Sequence, residues 1–293
     1  MNIVPYLVRG LATGGQFALV AIGYTMVYGI LKLINFAHGD LFMVSGIMLI
    51  YLAASFPALP IGVSILLMIV LTVLLGFLIE KCAYSPLRTA PRMSVMISAI
   101  GVSYLLQNLV SYITGGLSKQ FPDIPLISES VRLFGVKDKL AVFLSPVVAL
   151  VLMAGLVLII NHTKFGMSMR AVSRDFETAQ LMGVDINRVI SMTFAIGAFL
   201  AAVGSLLYFA KNTGINHLAG STPGIKAFIA AVVGGIGSIP GAVVGALLIG
   251  VVESLAKAFG LADFSDVISF ALLIIILVVK PTGLFGEKTT EKV

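Results

Sequence analysis

Long apolar runs separated by brief polar clusters recur along the whole chain, at 11–31, 41–56, 61–80, 93–114, 140–161, 189–210, 225–236, 240–256 and 266–280. Most approach the ~20 apolar residues that a helix needs to cross a hydrocarbon core of about 30 Å. The seventh run has only about 12, too few to cross unaided. It reads as a re-entrant half-helix or as a short span completed by its neighbours. The pattern predicts an all-α, polytopic membrane helix bundle with eight or nine spans, including broken or re-entrant segments. It forms a single transmembrane domain over 1–293, and its longest polar loop is 115–139. Alternating ten-residue segments, the mark of a membrane β-barrel, do not occur.

Composition agrees: 59% of residues are hydrophobic and 11% charged, against about 25% charged in soluble domains. The net charge of +6 is spread over loops, which fits membrane topology and not a nucleic-acid surface. Loops 31–40, 81–92 and 162–188 and the C-terminal tail hold 11 of the 19 Lys and Arg residues. The positive-inside rule then puts these segments and the C-terminus in the cytoplasm, and the N-terminus outside. The opening "MNIVPYLVRGLATGG" has no basic n-region or A-x-A-like site, so no removed signal peptide is expected. Cys82, the single cysteine, allows no internal disulfide, and no metal-ligand spacing occurs.

Catalytic signatures are missing as well. There is no phosphate loop, H-E-x-x-H or G-x-S-x-G, and "GGIGSIPG" at 234–241 follows no strand. A transported substrate is therefore expected, not a transformed one. In "LKLINFAHGDLFMVSG" (31–46) an apolar run meets Asn35, His38 and Asp40 and then resumes. Ionisable groups at membrane depth usually face a cavity or a partner. The stretch reads either as an interfacial helix cap or as a broken helix lining a pathway. In 223–250, Gly237, Gly241 and Gly245 recur every four residues, predicting one close-packing helix face. Glycines and Pro240 interrupt that span, so Gly237 and Ser238 join Asn35, His38 and Asp40 as candidate path residues. Gln107, inside the fourth run, either lines the path or bonds between helices. Glu253 and Lys257 have the spacing of a helical ion pair.

One compact charged island interrupts this pattern, "RAVSRDFETAQLMGVD" at 170–185. Residues 174–182 favour helix, Gly183 suits a helix stop, and Val172, Phe176, Ala179 and Gly183 would share one face. Arg170, Arg174 and Glu177 would line the adjacent polar face. A short helix with a small apolar face and mixed charges suits protein docking better than lipid headgroups.

The island's "ETAQLMG" (177–183) resembles the E-A-A-x-x-x-G signature on the cytoplasmic loop of ABC-importer membrane subunits, with Thr178 in place of an alanine. The stretches at 18–40, 99–108, 226–245 and 266–286 resemble the branched-chain amino acid (Liv-type) permease, in the form without a long N-terminal extension. That resemblance covers all but the 115–139 loop. It implies an importer subunit of the bacterial inner membrane that is not itself an enzyme and binds no cofactor, ATP-Mg being held by two cytoplasmic ATPase partners. It also implies a second, related permease and a periplasmic binding protein delivering leucine, isoleucine or valine; relatives serve urea or short amides. Arg170, Arg174, Glu177, Thr178, Ala179 and Gly183 would then form the ATPase-docking helix. The rival from another class is an ion-coupled secondary transporter with Asp40 and Glu253 as coupling carboxylates.

Overall fold

The computed structural model describes residues 3–88, 90–125, 127–133 and 135–286. Eight of its helices are long and apolar enough to cross a membrane. In chain order the helices are α1 (Val4–Leu31), α2 (Ala37–Ser55), α3 (Ile61–Ile79), α4 (Arg92–Thr114), α5 (Leu140–His162), α6 (Lys164–Arg174), α7 (Phe176–Leu181), α8 (Ile186–Lys211), α9 (Ser221–Gly234), α10 (Ile239–Ala258) and α11 (Ser265–Val279). Helix α3 runs on through a π-turn at Glu80–Tyr84, a local widening of the kind common at functional sites. Pro5 lies in the first turn of α1, where its missing N–H leaves no bond unmade, so α1 begins seven residues before the predicted run.

The core is helix on helix. Helix α1 lies in the middle against α5, α8, α9 and α10, and most of its residues are buried. Small residues permit this closeness. A methyl group at Gly10 or Gly14 would strike the α10 backbone at Gly250–Val251 or Ala246–Leu247, so dispersion between backbones holds the pair together. Helices α5 and α11, with few buried residues, form the periphery.

The 115–139 loop carries more structure than its polarity suggests. Strand β2 (Ser130–Leu133) pairs antiparallel with β3 (Val136–Lys139), while β1 (Lys119–Gln120) pairs with β4 (Gly214–Ile215). The Phe121 amide donates to the Thr213 carbonyl. Residues 212–220, which follow α8, are thereby tied to the end of the bundle opposite α6 and α7.

The short seventh run is the second half of a composite crossing. From that far end the chain descends without helix, Ile215 beside Gly46 and Gly220 beside Gly39 and Met43. Helix α9 then completes the passage. Its 14 residues span about 21 Å, well short of a hydrocarbon core alone. At the near end the Leu284 and Phe285 amides donate to the Val233 and Gly234 carbonyls.

Helix α2 also starts inside the bundle. His38, in its first turn, packs on Gly23 of α1 and Gly197 of α8. Gly23 is eight residues before the end of α1, about 12 Å at helical rise. Residues 32–36 therefore turn back into the interior before α2 begins. The starts of α2 and α9 lie side by side and antiparallel, Gly39 against Gly220 and Gly224. The second interior break is thus at 212–220. The expected one at 234–241 is an ordinary turn between α9 and α10 at the α6–α7 end.

Candidate functional site

The charged island is two helices, not one. Asp175 has extended backbone (φ −155°, ψ 118°) and caps α7, its carboxylate accepting from the Glu177 and Thr178 amides. The Thr178 hydroxyl also donates to Asp175 Oδ2, at 2.6 Å. This local network competes with continuation of α6, which ends at Arg174. The three donors hold the Asp175 carboxyl below its ordinary range, those from Thr178 having the largest effect. Thr178, the departure from the familiar signature, thus reinforces the cap.

The expected shared face of Val172, Phe176, Ala179 and Gly183 is corrected by this break. Val172 and Ala179 are buried within this chain, and the Ala179 carbonyl accepts from the Val184 amide. Ala179 therefore seats α7 on its own bundle and presents nothing outward. Gly183 stops the helix at φ +82°, with open space where a Cβ would stand. The outward surface consists of Glu177, Thr178 and Gln180 together with Leu181 and Met182, 87% and 81% exposed. Sequence reading missed these last two. Two large apolar residues immediately before a stop glycine, on a segment otherwise polar, were the available signal.

Arg170 and Arg174 leave the expected shared face with Glu177. They line a cleft of about 840 Å3 with Lys32, Gly237 and Ser238. Gly237 is also absent from the predicted packing face: it lies in the turn before α10 at φ +104°, outside the helix. Ser238 caps α10 by accepting from the Gly241 amide. Gly241 and Gly245 do lie on α10, against Gly234 and Ala230 of α9, whose carbonyls a methyl at either position would strike.

The remaining path candidates form a buried polar group around the start of α2. Asn35, His38 and Asp40 are each at most 5% exposed. Gln107 Nε2 donates to Asp40 Oδ1 at 2.9 Å, and the Ser103 hydroxyl donates to Asp40 Oδ2. Tyr84 donates to Asn35 Oδ1 at 2.7 Å. The ring of His38 stands edge-on to Tyr24 at 5.1 Å, and its Nε2 has no hydrogen-bond partner among the described residues. Gln107 therefore bonds between α4 and α2, while Gly237 and Ser238 belong to the separate cleft at the α6–α7 end.

Two ion clusters centred on buried carboxylates join helices, and of their contacts only Glu253–Lys257 was expected from spacing. Glu80, fully buried, meets Arg88 and accepts from Ser191 at 2.7 Å, while Arg88 reaches Asn187. This ties the end of α3 to the start of α8, just after α7. Lys226 of α9 contacts Glu253 at 2.9 Å and Asp266 of α11 at 2.7 Å, and Lys257 holds the other oxygen of Glu253. Desolvated charges of this kind persist only when paired. Among the described residues no group of His, Cys, Asp or Glu is placed to hold a metal ion.

Eight apolar spans packed around broken segments, with a short capped helix at one end, define a multi-pass helical membrane protein. A family model described as the permease component of the branched-chain amino acid transport system matches residues 6–277, and the chain belongs to that family. It is 39% identical to the high-affinity branched-chain amino acid transport system permease protein LivH of Salmonella typhimurium, covering 100% of this chain and 98% of that protein. It is 42% identical to BraD of Pseudomonas aeruginosa, another high-affinity branched-chain amino acid permease protein, at the same coverage. The structure of a metal-chelate type ABC transporter in an inward-facing conformation matches with a TM-score of 0.51 at 18% identity, covering 93% of this chain and 85% of that one. At that identity the likeness concerns the fold alone.

Proposed function

We propose that this chain imports leucine, isoleucine or valine as one of two related permease subunits in the bacterial inner membrane. Two cytoplasmic ATPases, which hold the ATP-Mg, would drive it, and a periplasmic binding protein would deliver the substrate. The α6–α7 end faces the cytoplasm in this reading. In support, residues 32, 88, 170–174, 235–238 and 284–286 gather at that end, and loops reaching it hold most of the Lys and Arg. The observation that carries the reading is α7 itself, a capped helix seated by Ala179 that presents Leu181 and Met182 to a partner.

Closure of the ATPases would push on α7 and be passed through α6 and α8 to the bundle. The amino-acid zwitterion would move past the interior break at Asn35–Asp40. There, backbone groups freed from helix can meet its carboxylate and ammonium. The ion-coupled alternative is weakened by its proposed carboxylates, since Asp40 is held by Ser103 and Gln107 and Glu253 by two lysines.

Proteoliposomes supplied with the binding protein provide the test. Leucine uptake should require co-reconstituted ATPases and ATP, and urea should not be taken up. Gradient-driven uptake by this chain alone would overturn the reading. For the path, single cysteines at Asn35 and His38, in a background where the exposed Cys82 is replaced by serine, should react with a water-soluble thiol reagent. Failure of both to react from either side would place the route elsewhere.

A further inference from the structure

The cleft at the α6–α7 end has a chemistry that amino-acid passage does not explain. Its cations, Lys32, Arg170 and Arg174, converge from the end of α1 and the last turns of α6. None of the three has an ion-pair partner among the described residues. Lys32 is the one described non-glycine residue with positive φ, at 54°, an uncommon conformation for a lysine. Deeper in the cleft is Thr25, 1% exposed. Its hydroxyl has no hydrogen-bond partner among the described residues, and a buried hydroxyl left unpaired is costly. The start of α10 at Ser238–Ile239 lies on the same cleft and adds partial positive charge.

Two further features select the ligand. Among the described residues no Asp or Glu lines the cleft, so none of them would receive the ammonium of a zwitterion. The cations also stand beside an apolar wall of Met26, Ile30, Ile160 and Ile239. A pure anion carrying a hydrocarbon chain meets both conditions.

We propose that this cleft binds the phosphodiester of an anionic phospholipid such as phosphatidylglycerol, with an acyl chain along the apolar wall. Basic pockets between membrane helices at the cytoplasmic face suit such headgroups. Arg174 ends α6, one turn after Arg170, and Asp175 follows directly as the cap of α7. The bound lipid would therefore brace the docking helix from behind, as a structural ligand and not as cargo. The leaflet rests on the orientation proposed above, but binding in detergent does not, so failure here would leave the importer reading standing.

Native mass spectrometry of the full chain in detergent tests the proposal, with phosphatidylglycerol, phosphatidylcholine of the same acyl chains, and glycerol phosphate as probes. Phosphatidylglycerol should be retained well above the other two. Lys32→Asn, which tolerates positive φ, combined with Arg174→Gln should weaken it about tenfold or more. Arg188→Gln, which removes an exposed cation outside the cleft, should leave it unchanged. Thr25→Val should weaken it with no loss of thermal stability, serving as a second variant should the charge variant fold poorly. Equal retention of phosphatidylcholine, equal binding of glycerol phosphate, or full phosphatidylglycerol binding by both cleft variants would each overturn the lipid assignment.

Discussion

Asp175 stands where one helix could have run from Lys164 to Leu181, and its side chain decides that two form. Because its carboxyl is held below the ordinary range in the folded chain, the cap is favoured at neutral pH. Its contribution is complete above the unfolded carboxyl's pKa and fades as pH falls through the depressed folded value. Hydrogen exchange at the Glu177 and Thr178 amides should therefore accelerate in acid, beyond the intrinsic pH dependence of exchange. Asp175→Asn should remove that pH dependence, and Thr178→Ala should speed exchange at neutral pH. Glu80 illustrates the opposite regime, in which burial makes loss expensive. Glu80→Ala leaves the Arg88 guanidinium without its carboxylate and should lower unfolding stability by roughly 3–5 kcal/mol, measured by denaturation of the purified chain.

At the scale of elements, the small-residue seams make a firmer prediction than the charges do. Gly245→Val would drive a side chain into the Ala230 carbonyl, where backbone, not a movable side chain, stands in the way. No folded protein should be recovered in a detergent-solubility assay. For α7, Leu181→Asp with Met182→Asp should abolish co-purification of the ATPases while leaving the thermal stability of the isolated chain unchanged, because neither side chain packs internally. The span pattern was readable because lipid imposes one length and one polarity on every crossing. The start of α2 was readable too, since Asn35, His38 and Asp40 interrupt an apolar run. The descent at 212–220 escaped notice because its interior partners are Gly39, Met43 and Gly46 on another helix. A cap network such as Asp175–Thr178 depends on geometry that residue types only permit, and it overrode good helix propensity across 174–182.

For the whole molecule, long-range pairings decide what sequence spacing cannot. Glu253 and Lys257 are four apart and predictable as a pair, whereas Lys226 and Asp266 join them only because α9, α10 and α11 pack together. The same holds for Gln107, whose partner Asp40 is 67 residues away. Helix α1, the most enclosed span, takes its glycine-lined contact from α10, whose residues follow it by more than 200 positions. A ribosome releases the first span long before the surface made for it exists. During synthesis α1 must wait in the bilayer or against the insertion machinery, its Gly10–Gly14 face unmatched. Assembly is therefore timed by the C-terminal third, and a chain cut after α8 should be degraded as an orphan even though six of its eight long spans are present.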